Sequence, residues 1–76
     1  MNKARREKIS DIVTRLRDCR SEIESVQSEE DDSRYNMPEN LEGSQRYTES
    51  EEASDALDSA GSDIDNAIDT LEEIIT

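Results

Sequence analysis

Apolar side chains return every three or four residues along two long stretches of this chain, and in so polar a sequence that rhythm limits what can fold. Ile9, Ile12, Leu16, Cys19, Ile23 and Val26 follow steps of 3, 4, 3, 4 and 3, with Val13 widening the stripe. Ala53, Leu57, Ala60, Ile64, Ala67, Leu71 and Ile74 step 4, 3, 4, 3, 4 and 3, broadened by Ala56, Ile68 and Ile75. Such heptad seams belong to amphipathic helices, and strand alternation accounts for none of them.

The rhythm matters because bulk composition gives little help. Only 30% of the 76 residues are hydrophobic and 39% are charged, with no Trp or Phe. Ordering each residue costs about 1–2 kcal/mol of backbone entropy, so such a chain folds only by concentrating its few apolar groups on a seam. A single small domain is expected, without room for an enclosed substrate pocket.

The first helix is expected over about 2–31, with Asn2 as N-cap and the "EEDDS" run ending the apolar repeat. The second is expected over about 47–75. Gly61 interrupts it, but breaking there would waste an unbroken phase, and an interior glycine costs only about 1 kcal/mol relative to alanine. Ala53, Ala60 and Ala67 recur every seventh residue and allow close approach of a neighbouring helix. The second half of helix one is acidic and its start basic, opposite to the preference of its own macrodipole, which leaves it dependent on neighbours.

The tip, about 32–46, contains "RYNMPENLEGSQRY" from Arg34 to Tyr47, with the only proline and both tyrosines. Pro38 suits the first turn of a short helix and Gly43 its end. Ser44 or Thr48 can cap the second long helix, and Thr48 with Glu51 forms a capping box. Tyr35, Met37, Leu41 and Tyr47 are available to plug the end. Arg34, Tyr35 and Tyr47 also make a candidate partner-binding knob.

Matched rods joined by a short loop predict an all-α antiparallel two-helix hairpin with a structured tip. Its core or dimer seam draws on Ile9, Ile12, Leu16, Ile23, Val26, Leu57, Ile64, Ile68, Leu71 and Ile75. The apolar face of helix two is wider than one seam, which predicts a homodimer closing into a four-helix bundle. In the hairpin, Arg5, Lys8 and Arg15 are expected to face Glu72, Glu73 and Asp65.

Charge narrows the function. Residues 1–20 carry seven cations against three acids, a balance of +4, while residues 21–76 carry two cations against eighteen acids, a balance of −16. That surface repels nucleic acid, anionic lipid and nucleotides and attracts basic partners. A sponge for signalling nucleotides conflicts with it unless arginines converge at a dimer interface. The N-terminal Lys3, Arg5, Arg6 and Lys8 read as counter-charge to the acidic end, so direct nucleic-acid binding is not expected.

Catalysis is not expected either. There is no His, Cys19 stands alone at a seam position without a base, and no nucleophile–base spacing occurs. The best calcium window, Asp63 to Ile74, lacks the loop glycine and ends on Ile74 where a bidentate Glu belongs. No cofactor or metal is expected. The lone thiol and the absence of a long apolar run point to the cytoplasm, with no membrane association.

On helix two, Asp55, Asp58, Asp65, Asp69 and Glu72 fall on roughly one side, led by Glu51 and Glu52. Carboxylates arrayed on a rod can occupy a groove evolved for phosphates, which suggests mimicry of nucleic-acid charge. The plain counter-reading is a solvated face that keeps a small bundle in solution. The stretch "YNMPENLEGSQRYTESEEASDAL" resembles a block in short acidic helical-hairpin proteins of bacteria and their phages. Asn36, Met37, Pro38, Leu41, Ser44 and Arg46 carry the resemblance. It implies a helical hairpin and a mobile-element association, with no activity attached. Together these features suggest a phage or mobile-element inhibitor of a basic, nucleic-acid-handling host protein in a bacterial cytoplasm. The competing expectation is an assembly adaptor acting through its apolar seam as a dimeric bundle.

Overall fold

In the computed structural model, residues 1–41 and 43–76 are described, Leu41 by its backbone alone. Helix α1 runs Lys3–Tyr35, a 3-10 turn follows at Glu39–Leu41, and helix α2 runs Gln45–Ile75. The helices lie antiparallel in a hairpin 60 Å long and 14 × 13 Å across. Among the described residues there is no strand.

Local chemistry sets each boundary. The Asn2 side chain accepts a hydrogen bond from the Arg5 amide at 2.8 Å, satisfying one of the orphan donors at the start of α1. The acidic run does not end α1 at residue 31. The helix continues to Tyr35, where Arg34 places a cation in the last turn and pairs with Asp31 at 3.0 Å. Asn36 closes the helix, its side-chain amide donating to the Asp32 carbonyl at 2.9 Å. Pro38, next but one, stops any continuation. Gly43 makes the reversal at φ 78°, a left-handed conformation suited to glycine. Ser44 caps α2 by accepting from the Tyr47 amide at 3.3 Å. Thr48 lies inside the helix with its amide on the Ser44 carbonyl, so α2 starts four residues earlier than the Thr48 capping box would set it and two earlier than the expected 47.

The seam keeps the expected 3–4 rhythm with a different set of residues. Ile9, Val13, Leu16, Arg20, Ile23, Gln27, Glu30 and Arg34 turn inward from α1. Tyr47, Ser50, Ser54, Leu57, Gly61, Ile64, Ile68, Leu71 and Ile75 turn inward from α2. Ile9, Leu16, Ile23, Leu57, Ile64, Ile68, Leu71 and Ile75 occupy the seam as the sequence suggests. Ile12, Cys19 and Val26 yield their places to Val13, Arg20 and Gln27, and Ala53, Ala60 and Ala67 yield theirs to Ser54, Gly61 and Ile68. Ile12 and Val26 are exposed at 38% and 50%, and Cys19 is exposed as well.

The physical reason is size matching. Gln27 reaches across to Ser54, donating to its carbonyl at 3.3 Å. The Arg20 guanidinium lies over Gly61 so closely that a Cβ there would sit 2.5 Å from it. Long polar side chains on one helix thus meet the smallest residues on the other. These two contacts fix the register, since each step of seven along α1 matches seven back along α2. The same register sets Val13 level with Ile68, the two buried apolar side chains among the described residues, at 5% and 6% exposure. The seam is therefore apolar toward the open end and polar toward the tip. Gly61 is buried within an uninterrupted helix.

At the tip, Tyr47 and Met37 are half-buried, but Tyr35 is 87% exposed and plugs nothing, because α1 extends past the crossover and carries it outward. The expected closing role of Leu41 lies outside the described residues.

Gly61→Ala is expected to leave the hairpin within about 1 kcal/mol of wild type, the gain in helix propensity offsetting the displacement of the flexible Arg20 end. Gly61→Leu, which overfills the site, is expected to destabilise by about 1–3 kcal/mol. Thermal unfolding followed by circular dichroism checks both.

Candidate functional site

The hairpin has two unlike flanks, because at about 100° per residue each helix turns one edge of its seam to either side. On the charged flank, Arg17 pairs with Glu72 at 2.6 Å and Arg20 with Asp65 at 3.2 Å, Arg20 also meeting Glu24 at 3.3 Å. Basic α1 therefore faces acidic α2 as expected, but through Arg17 and Arg20 in place of Arg5, Lys8 and Arg15. Those three sit too far toward the start or the wrong side of α1 to reach the acids. Each exposed pair is worth about 0–1 kcal/mol, so the set selects orientation more than it holds the fold.

Glu51, Asp58, Asp65 and Glu72 recur at every seventh residue along this flank, while Asp55 and Asp69 lie farther round. Of the five acids singled out in the sequence, Asp65 and Glu72 are occupied by arginines. Asp55, Asp58 and Asp69 are exposed and, among the described residues, make no ion pair.

Toward the tip, the seam holds a polar cluster that the apolar pattern gave no means of finding. Ser54 donates its hydroxyl to Asp31 at 2.6 Å, Arg34 donates to the same carboxylate at 3.0 Å, and Arg34 also donates to the Ser50 carbonyl at 3.4 Å. The Ser54 hydrogen bond is the main influence holding the Asp31 carboxyl below its ordinary value of 3.8; partial burial opposes it and Arg34 reinforces it. Arg34, Tyr35, Tyr47 and Glu51 line an open cleft of about 310 Å³ beside this cluster. Arg34 is committed to Asp31 and Ser50 and is 17% exposed, so it organises the tip from within. Of the expected knob, Tyr35 alone projects freely.

The opposite flank is apolar. Cys19, Ile23, Val26 and Leu57, with Glu22 at the rim, line a groove of about 360 Å³. Ile12 continues it on α1, and Ala53, Ala60, Ala67 and Ile74 run alongside on α2, Ile74 at 43% exposure.

Among the described residues, no cluster of three or more Cys, Asp or Glu is placed to hold a metal ion, and no helix is long and apolar enough to cross a membrane. No protein-family model matches the chain, and no curated protein or solved structure resembles it significantly.

Asp31→Asn and Ser54→Ala are expected to lower the melting temperature at neutral pH. A carboxyl whose folded pKa is depressed contributes stability above its unfolded value and loses it as the pH falls through the folded one. The gap in melting temperature between wild type and Asp31→Asn should therefore close as the pH drops below about 3.8. Melting curves of both proteins across an acid series check the sign.

Proposed function

We propose that this protein is a small, acidic, non-catalytic protein-binding module whose α2 carboxylates meet a basic, nucleic-acid-handling surface of a partner. The imbalance across the charged flank carries the reading. Arg17 and Arg20 answer Glu72 and Asp65, and Glu51, Asp55, Asp58 and Asp69 remain exposed with no ion pair among the described residues. On one rigid helix, acids seven residues apart stand about 10 Å from each other, so a groove lined by Lys and Arg engages several together. In this reading Asp65 and Glu72 support the hairpin while Asp55, Asp58 and Asp69 make the contact. The resemblance of the tip to short bacterial and phage proteins supports an inhibitor or adaptor of a host protein, acting in the bacterial cytoplasm.

The exposed apolar flank favours a second reading, an assembly adaptor that works through Ile12, Val26 and their neighbours.

Charge-driven capture should be salt-steep. A partner retained from bacterial lysate at about 50 mM salt is expected to be largely lost at about 200 mM and displaced by duplex DNA. Capture should disappear in the Asp55→Asn, Asp58→Asn, Asp69→Asn triple variant with helicity unchanged. Capture indifferent to salt, to DNA and to the triple variant, yet lost on Val26→Glu, would replace the first reading with the second.

A further inference from the structure

The apolar flank carries a pattern that is complementary to itself. On α1, Ile12 and Val26 stand seven residues either side of Cys19. On α2, the flank alanines and the half-buried seam residues that border them, Ala53 and Leu71, Ala60 and Ile64, and Ala67 and Leu57, are each centred on Ser62, so that every alanine is matched by a large residue at the mirrored position. The centres of the two patterns are level with each other. Arg20 over Gly61 and Gln27 on Ser54 set Cys19 level with Ser62, and the Arg20–Asp65 and Ser54–Asp31 contacts, each offset by four residues, keep it within one turn of that level. A single axis lying in the plane of this flank, perpendicular to the helices, passes through both.

We propose that the occupant of this flank is a second copy of the chain, turned about that axis so that the two hairpins meet face to face with their tips at opposite ends. Each helix then lies antiparallel to its counterpart. Ile12 packs against the partner's Val26, Ala60 against the partner's Ile64, and Ala53 against the partner's Leu71, small groups admitting large ones so that the axes approach to about 8–10 Å. Every neighbouring pair in the resulting four-helix bundle is antiparallel, the arrangement helix dipoles prefer.

The rim of the flank agrees. Lys8 and Arg15 lie along one half of α1 and Glu22 and Glu29 along the other, and among the described residues none of the four makes an ion pair. Turned about the Cys19 axis, Arg15 comes within one residue of level with the partner's Glu22, and Lys8 likewise with the partner's Glu29. The other face-to-face two-fold, with tips together, would pair Lys8 with the partner's Glu73 but oppose Glu29 to the partner's Glu52 and leave Arg15 and Glu22 opposite the partner's Asn66 and the partner's Ser59, one attraction where the Cys19 axis gives two in each protomer. Dimerisation also answers the small core, since among the described residues Val13 and Ile68 are the only buried apolar side chains. The dimer does not depend on what the acidic flank binds.

The test combines mass with chemistry on the full chain. Light scattering across a dilution series is expected to give twice the 8.6 kDa chain mass. Copper-phenanthroline oxidation should then join Cys19 to the partner's Cys19 rapidly, since a disulfide needs Cβ atoms about 3.5–4.5 Å apart and the axis brings these two together. Arg15→Glu should weaken the dimer about tenfold, because the pair it breaks occurs twice. Adding Glu22→Arg to it should restore affinity to within about twofold of wild type. Both positions are exposed, and circular dichroism confirms that each variant keeps its helices. A helical monomer at every concentration overturns the proposal, as does a dimer that resists Cys19 cross-linking or one that Glu22→Arg fails to rescue.

Discussion

The structure depends on the match between long polar side chains of α1 and the smallest residues of α2. Arg20 packs over Gly61 and Gln27 reaches Ser54, because only small residues at those places let long polar side chains cross the seam at this spacing. That pairing sets the register, and the register places Val13 level with Ile68 at the apolar end and gathers Asp31, Arg34, Ser50 and Ser54 at the tip end. A seam that is half apolar and half polar gains less from burial than a leucine zipper. It gains specificity, since a slip of one heptad would drive Arg20 into Ser54 or Ile68.

The same rotation of the helices decides what is left for others. Turning Val13 and Ile68 inward turns Ile12, Cys19 and Val26 outward beside the α2 alanines, and turns the α2 acids to the opposite flank. Two surfaces of contrasting chemistry thus result from one packing choice. An exposed apolar strip in so short a chain invites association. Exposed acids on the other side favour basic surfaces and long-range attraction.

Much of this was legible in the residues. The heptad rhythm predicts two helices and a hairpin, Asn2 is a recognisable cap and Ser44 one of two candidates with Thr48, and the unbroken phase argues that α2 runs through Gly61. The choice of seam was not legible. Ile12, Cys19, Val26, Ala53, Ala60 and Ala67 are more apolar than Arg20, Gln27, Ser54 and Gly61, so ranking by hydrophobicity selects the flank and misses the seam. Only shape across two helices distinguishes them. Helix α1 runs past residue 31 for a related reason: Asp31 and Arg34 continue the rhythm in polar form, and their partners Ser54 and Ser50 lie far away in sequence. Among the acids, periodicity grouped Asp55, Asp58, Asp65, Asp69 and Glu72 on one side, but nothing local distinguished the two that arginines occupy.

The register is the claim on which the rest stands, and intrachain cross-linking reads it directly. In a Cys19→Ser background, Gln27→Cys with Ser54→Cys should oxidise to an intrachain disulfide at low protein concentration. Gln27→Cys with Gly61→Cys should not, because it is displaced by about 10 Å along the helix. Preferential closure of the displaced pair, or failure of both pairs in a helical protein, would contradict the account.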